Sequence, residues 1–205
     1  YKLADGPVLT LHLVPLQAAM ARVNVDPVQY LGLRRRIPVV AASSGAIDSL
    51  VNLDGAAGTR NLLDRGTNGY TLLFRSGFIE TTWVLGSQSA ADRSVLPGGA
   101  FEDYLAQFVE RAREEMAHWG LSGQAIALLS IAAADVVTLA VQREYAGAER
   151  GKFDRKVLAI PDVELAGEAP VRDELKPLFD LVWQSAGFHG SPHYDGDGHW
   201  VGTQR

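Results

Sequence analysis

Between Val8 and Val14 the chain alternates strictly, with Leu9, Leu11 and Leu13 on one side and Thr10 and His12 on the other. That period of two predicts a strand with one buried face, introduced by the Asp5-Gly6-Pro7 turn and stopped at Pro15. His12 then points away from the leucines. Asp26 followed by Pro27 predicts a short helix within 26–36, with Asp26 as N-cap and Pro38 beyond its end. Leu50 to Asp54 predicts another short strand, running into a Gly55-Ala56-Ala57-Gly58-Thr59-Arg60 loop. Two β-rich runs, Tyr70 to Arg75 and Phe78 to Leu85, flank Ser76-Gly77 and predict a hairpin with a two-residue turn.

The period changes after Pro97-Gly98-Gly99. Phe101, Leu105, Phe108, Val109, Ala112, Met116 and Trp119 recur at helical spacing, which predicts a long amphipathic helix capped by Gly120. The apolar run from Ala125 predicts a buried strand, and Val137, Leu139 and Val141 alternate in its successor. Lys156 to Ile160 predicts a strand ended by Pro161. A second helix carries Leu178, Phe179, Val182, Trp183 and Ala186 and is closed by Gly187. Pro177 belongs in its first turn, because in the interior it would remove a hydrogen bond. Strands joined by short turns, with separate helices, predict an α+β fold: a mostly antiparallel sheet with two or three packed helices in one domain spanning 1–205.

At 205 residues the chain is long enough to bury a core without staples, and it has no cysteine. Thiol nucleophiles and thiolate metal sites are thereby excluded along with disulfides. A net charge of -5 argues against a general phosphate-binding surface, so no direct nucleic-acid contact is expected. The longest apolar stretch, ending near Ala134, covers about half of the roughly twenty residues that a membrane-crossing helix needs. No secretory signal is visible; no membrane association and a cytoplasmic location are expected. The chain begins at Tyr1 rather than Met, as expected of a fragment of a longer protein.

Candidate chemistry is concentrated near the C-terminus. Imidazole and carboxylate are good ligands for zinc or iron, and His193, Asp195, Asp197 and His199 stand at alternate positions. Gly196 and Gly198 favour a turn over an extended strand there. Asp195-x-Asp197-Gly198 resembles the start of a calcium loop, without its later oxygen ligands. The segment reads as a turn that anchors Trp200. The alternative is a metal-dependent hydrolase or nuclease using His193, Asp195, Asp197 and His199, with His12 as a distant contributor.

Asn52 and Asp54 precede a Gly-rich stretch that can offer backbone amides to an anion, but no Gly-Lys-Ser/Thr follows to make a P-loop. With Arg75 and Glu80 they form the candidate ligand-binding set, although Glu80 facing Arg75 near the hairpin turn also reads as a surface pair. Arg34-Arg35-Arg36 reads as a solvated patch, and Ser43-Ser44-Gly45 does not match a nucleophile elbow. His118 at a helix end complements the helix dipole. No catalytic residue set and no cofactor emerges.

The Asp5-Gly6-Pro7-Val8-Leu9-Thr10-Leu11-His12-Leu13-Val14-Pro15-Leu16 stretch resembles the junction after the N-terminal domain in bacterial Schlafen-AlbA-type proteins, often labelled ATP-binding proteins. The Asn52-Leu53-Asp54-Gly55 box, the Tyr70–Glu80 hairpin with Phe74-Arg75-Ser76-Gly77, and Tyr194-Asp195-Gly196-Asp197-Gly198-His199-Trp200 are similar to later parts of those proteins. The resemblance covers nearly the whole chain, and its motifs are structural in character. In that family the preceding AlbA-like domain carries the nucleic-acid-related role. The resemblance therefore implies a non-catalytic C-terminal accessory domain for oligomerisation, ligand sensing or partner docking. Its implied partners are a second copy and the N-terminal AlbA-like domain of the same chain.

Overall fold

The first alternation is realised as β1 (Val8–Pro15), whose Leu9, Leu11 and Leu13 have no exposed surface. The computed structural model describes residues 1–32, 36–41, 45–59, 66–85, 94–141 and 150–202. Helices α1 (Leu16–Met20) and α2 (Pro27–Gly32) follow β1. Strands β2 (Asp48–Val51), β3 (Gly55–Thr59), β4 (Tyr70–Phe74), β5 (Ile79–Val84) and β6 (Ser94–Pro97) then lead to the long helix α3 (Gly98–His118). Beyond it lie β7 (Ala125–Ala132), β8 (Val137–Ala140), β9 (Arg150–Lys152), β10 (Val157–Ala159) and β11 (Val163–Leu165). Helices α4 (Val171–Glu174) and α5 (Lys176–Ser185) complete the order.

The architecture is α+β. The main sheet is antiparallel throughout, in the order β10-β7-β1-β5-β4-β3-β2, with β11 also paired to β7. A smaller sheet, β6-β8-β9, contains a parallel β6–β8 pair. Local chemistry explains the helix ends. Asp26 accepts the Val28 N–H at 2.9 Å and caps α2, and Pro177 lies in the first turn of α5. At the end of α3, Leu121 N–H bonds to the Met116 carbonyl and Gly120 N–H to that of Ala117, with Gly120 at φ +72°. This double bond is the Schellman arrangement, which needs a left-handed residue after the helix.

Phe101, Leu105, Phe108, Val109 and Ala112 of α3 share one core with Leu9, Leu11 and Leu13. Trp83 of β5 meets Tyr104 of α3 edge-on at 5.6 Å, and Phe101 meets Phe179 of α5 in the same way at 5.6 Å. The other face of the main sheet stays half-exposed. It carries Thr10, His12 and Val14 of β1, Tyr70 and Leu72 of β4, and Leu128 of β7, which is 39% exposed. Among the described residues no helix is long and apolar enough to cross a membrane.

Several expectations are corrected. Gly55–Thr59 is strand β3 and not a loop; its small residues are buried between β2 and β4, where a Cβ on Gly55 would approach the Leu73 carbonyl oxygen to 1.9 Å. The β4–β5 turn holds three residues and not two. Phe74 N–H bonds to the Phe78 carbonyl, Gly77 N–H bonds to the Phe74 carbonyl, and Gly77 adopts φ +83°. A three-residue hairpin loop requires such a left-handed residue. The extra residue sets Leu73 opposite Ile79, both in the core, whereas a shift of one would turn one of them outward.

The run from Ala125 is buried on one face only, because β7 shares the half-exposed side of the sheet. Its successor β8 joins the smaller sheet, and Val141 lies beyond its end. Arg34, Arg35, Ser43, Ser44 and Arg60 lie outside the described residues.

The two faces of the main sheet make opposite predictions. Leu11→Ala should cost about 2–5 kcal/mol in urea denaturation, the usual range for a cavity in a packed core. Leu128→Ala, on the half-exposed face, should stay within about 1 kcal/mol of the parent. Equal losses would mean that both faces are core.

Candidate functional site

The C-terminal segment closes on itself before it touches the rest of the molecule. Asp195 Oδ1 accepts the N–H groups of Asp197 at 3.0 Å and His199 at 2.8 Å. Gly198 N–H bonds to the Asp195 carbonyl with Gly198 at φ +85°, and Tyr194 pairs with Trp200 across the turn. The His199 amide bond is the main reason the Asp195 carboxyl lies below its ordinary range. This tight turn docks on α4. Trp200 N–H donates to Asp173 Oδ1 at 3.1 Å, the Arg172 guanidinium sits 4.9 Å from the Trp200 ring centre, and Tyr194 Oη donates to the Arg172 carbonyl at 2.6 Å. His199 Nδ1 lies 3.2 Å from Asp173 Oδ2, and that hydrogen bond raises the imidazole pKa.

His193 points the other way, into the interior. Its Nδ1–H donates to Glu102 Oε2 at 2.6 Å, while Trp183 Nε1–H donates to Glu102 Oε1 at 2.7 Å. Glu102 and Trp183 have no exposed surface and His193 only 7%. The network thus joins α3, α5 and the terminal turn through both oxygens of one carboxylate. Ser191 extends it outward: its Oγ accepts the His193 N–H at 3.2 Å, and its own N–H donates to Asp180 Oδ1 at 2.9 Å.

The four candidate metal ligands therefore diverge. His193 faces Glu102, Asp195 serves its own turn, His199 lies on Asp173, and Asp197 is exposed. Among the described residues no three or more His, Cys, Asp or Glu side chains form a group that could hold a metal ion.

Asn52, Asp54 and Arg75 are brought together, but as a clasp on the β2–β3 turn. Asn52 Oδ1 accepts the Gly55 N–H at 2.9 Å, and Asp54 O accepts the Arg75 N–H at 2.9 Å. The Arg75 guanidinium donates to the carbonyls of Leu53 at 3.0 Å and Asn52 at 3.3 Å. Glu80 does not face Arg75. The register sets it between His12 on β1 and Leu72 on β4, and its Oε2 accepts His12 Nε2–H at 2.8 Å. Its Oε1 accepts the Tyr70 hydroxyl at 2.7 Å.

His12, Glu80 and Tyr70 make a polar island on the half-exposed sheet face. The His12 hydrogen bond holds the Glu80 carboxyl below its usual range; burial opposes this, and the Tyr70 hydroxyl and the charge of His12 add to it. Burial, then the Glu80 hydrogen bond and charge, push the Tyr70 phenol up. Both carboxylate oxygens are occupied, and the imidazole keeps 40% of its side chain in solvent. The island thus presents an oriented His12 to whatever lies over the sheet.

Sequence reasoning missed Glu102 and Tyr70. For Glu102 a signal exists, because an acidic residue three before Leu105 and four before Ala106 falls on the buried side of α3. Tyr70 could be found only from the three-strand register. No family model matches the chain, and no curated protein or solved structure matches it.

Two predictions follow from these networks. Trp183→Phe keeps the ring but removes one donor to Glu102, and should cost about 1–3 kcal/mol in chemical denaturation, as for other buried groups that lose a partner. No loss would mean that the bond is not maintained in solution. For Glu80, the folded state lowers the pKa, so its stabilisation is present above the unfolded value of about 4.3 and lost as pH falls through the folded value. Glu80→Gln should therefore make the acid limb of the stability–pH curve shallower; an unchanged limb would contradict the assignment.

Proposed function

We propose that the chain is a non-catalytic accessory domain that works by docking. On this reading its half-exposed sheet face lies against the N-terminal AlbA-like domain of a longer, cytoplasmic chain of the kind the sequence resemblance implies. The observation that carries the reading is the contrast between the two sheet faces. Leu9, Leu11 and Leu13 are fully covered, while Leu128 and Val157 on the other side keep 39% and 61% of their surface exposed. That face sets exposed Leu128 and Val157 beside the polar His12–Glu80–Tyr70 island, and such a mixture of apolar and polar side chains is typical of a surface that meets another protein. Glu102, His193, Asp195 and Asp173 support the same reading, because their hydrogen bonds hold the terminal turn to the fold.

Ligand sensing is the second reading, and one observation favours it: Glu80 orients a half-exposed His12 in the middle of that face.

Carbene footprinting of this chain alone and of the intact gene product separates docking from a free face. Leu128 and Val157 should label several-fold less in the intact protein, with exposed Met20 unchanged as the internal control. Equal labelling of Leu128 and Val157 in both would overturn the docking proposal.

A further inference from the structure

The main sheet ends at β2, a four-residue edge strand whose one charged side chain, Asp48, accepts the Tyr1 hydroxyl at 3.3 Å at one end of the edge. All four residues of the strand are exposed, and among the described residues no strand pairs with its outer side. Ile47, Leu50, Val51 and Leu53 are 66%, 38%, 40% and 89% exposed. From Ala46 to Asp54 there is no Lys, Arg or Pro. Natural edges are commonly guarded by such residues, because an open row of N–H and C=O groups pairs with any available strand.

The register says which backbone groups are open. Asn52 N–H bonds to the Gly55 carbonyl, so Asn52–Gly55 is a hydrogen-bonded pair of the antiparallel ladder. Alternation then makes Leu50–Ala57 and Asp48–Thr59 the next such pairs. Asp48, Leu50 and Asn52 thus turn their backbone groups toward β3, and Ser49 and Val51 turn theirs outward.

We propose that β2 is a self-association edge, at which two copies of this chain join antiparallel about a two-fold axis at Leu50. In that pairing Ser49 of each copy lies opposite Val51 of the other, and the outward groups of both strands satisfy one another. Leu50 meets its counterpart in the closely spaced, non-hydrogen-bonded pair, where side chains approach most nearly. Asp48 falls opposite Asn52, which places the two Asp48 carboxylates at opposite ends of the junction. A parallel pairing would set those carboxylates side by side. The strand is therefore its own complement, as a two-fold interface requires. The contact extends the main sheet through its edge and does not depend on what covers the sheet face.

Light scattering and a cysteine cross-link test this together. The parent chain should show twice the chain mass at high concentration and dissociate on dilution. Val51→Pro removes an outward N–H without touching the β3 ladder, and Leu50→Lys adds an edge guard; each should halve the mass with an unchanged circular dichroism spectrum. Because the chain has no cysteine, Leu50→Cys supplies its only thiol. Oxidation in air with copper phenanthroline should link Leu50→Cys into a dimer, while Leu53→Cys, outside the paired strand, should link much less. A parent that stays monomeric, a dimer that survives Leu50→Lys, or a Leu50→Cys variant that does not cross-link would each overturn the proposal. Should Val51→Pro fail to fold, the Leu50 variants decide.

Discussion

A carboxylate without exposed surface governs how the C-terminal half is assembled. Burying Glu102 is costly unless its oxygens are matched, and one donor comes from each of two distant segments, Trp183 on α5 and His193 in the terminal turn. The arrangement leaves little room for adjustment. Trp183 lies against the start of α3, where a Cβ on Gly98 would come within 2.4 Å of its ring. The same indole meets Phe188 and His193 edge-on at 5.1 and 5.9 Å. The terminal turn is thus held from inside by Glu102 and from outside by Asp173, which takes the Trp200 and His199 bonds.

That division sets the chemistry available elsewhere. His193, Asp195 and His199 at the C-terminus, and Asn52 and Arg75 at the clasp, are committed to structure by their hydrogen bonds. On the half-exposed sheet face, by contrast, the His12–Glu80–Tyr70 island keeps its imidazole partly in solvent. Antiparallel sheets commonly leave one face toward water, and this one does so across β1, β4 and β7, while on β5 Glu80 is partly exposed there and Thr82 and Val84 are buried. An apolar residue such as Leu128 on that face contributes little to the core and is free to serve contact with another surface.

Periodicity made the strongest elements legible: β1 from its leucines, α3 from its apolar stripe, α5 from Phe179 and Trp183. It failed where neighbours override local preference. Gly55–Thr59 has few good strand formers, yet it is held as β3 between two partners, and Gly58 is required because a Cβ there would meet Ala46 and Ile37 within 2.9 Å. Strand β6 ends in Pro97 and pairs in parallel with β8, a partner far along the chain that no local pattern announces. At the site, the glycines around Asp197 revealed the turn, whereas the Asn52–Gly55 turn falls where the sequence predicts a strand over Leu50 to Asp54, because β2 is Asp48–Val51. The Glu102–His193 bond spans 91 positions and needs the packed helices before it can be seen.

The claim that the terminal turn is locked to the core through Glu102 is tested most directly by hydrogen exchange at the Trp183 indole N–H, followed by NMR. A proton that donates to a fully buried carboxylate exchanges only when the surrounding unit opens. The indole proton should therefore exchange as slowly as the best-protected amides of α3. Exchange as fast as that of an exposed amide would contradict the account.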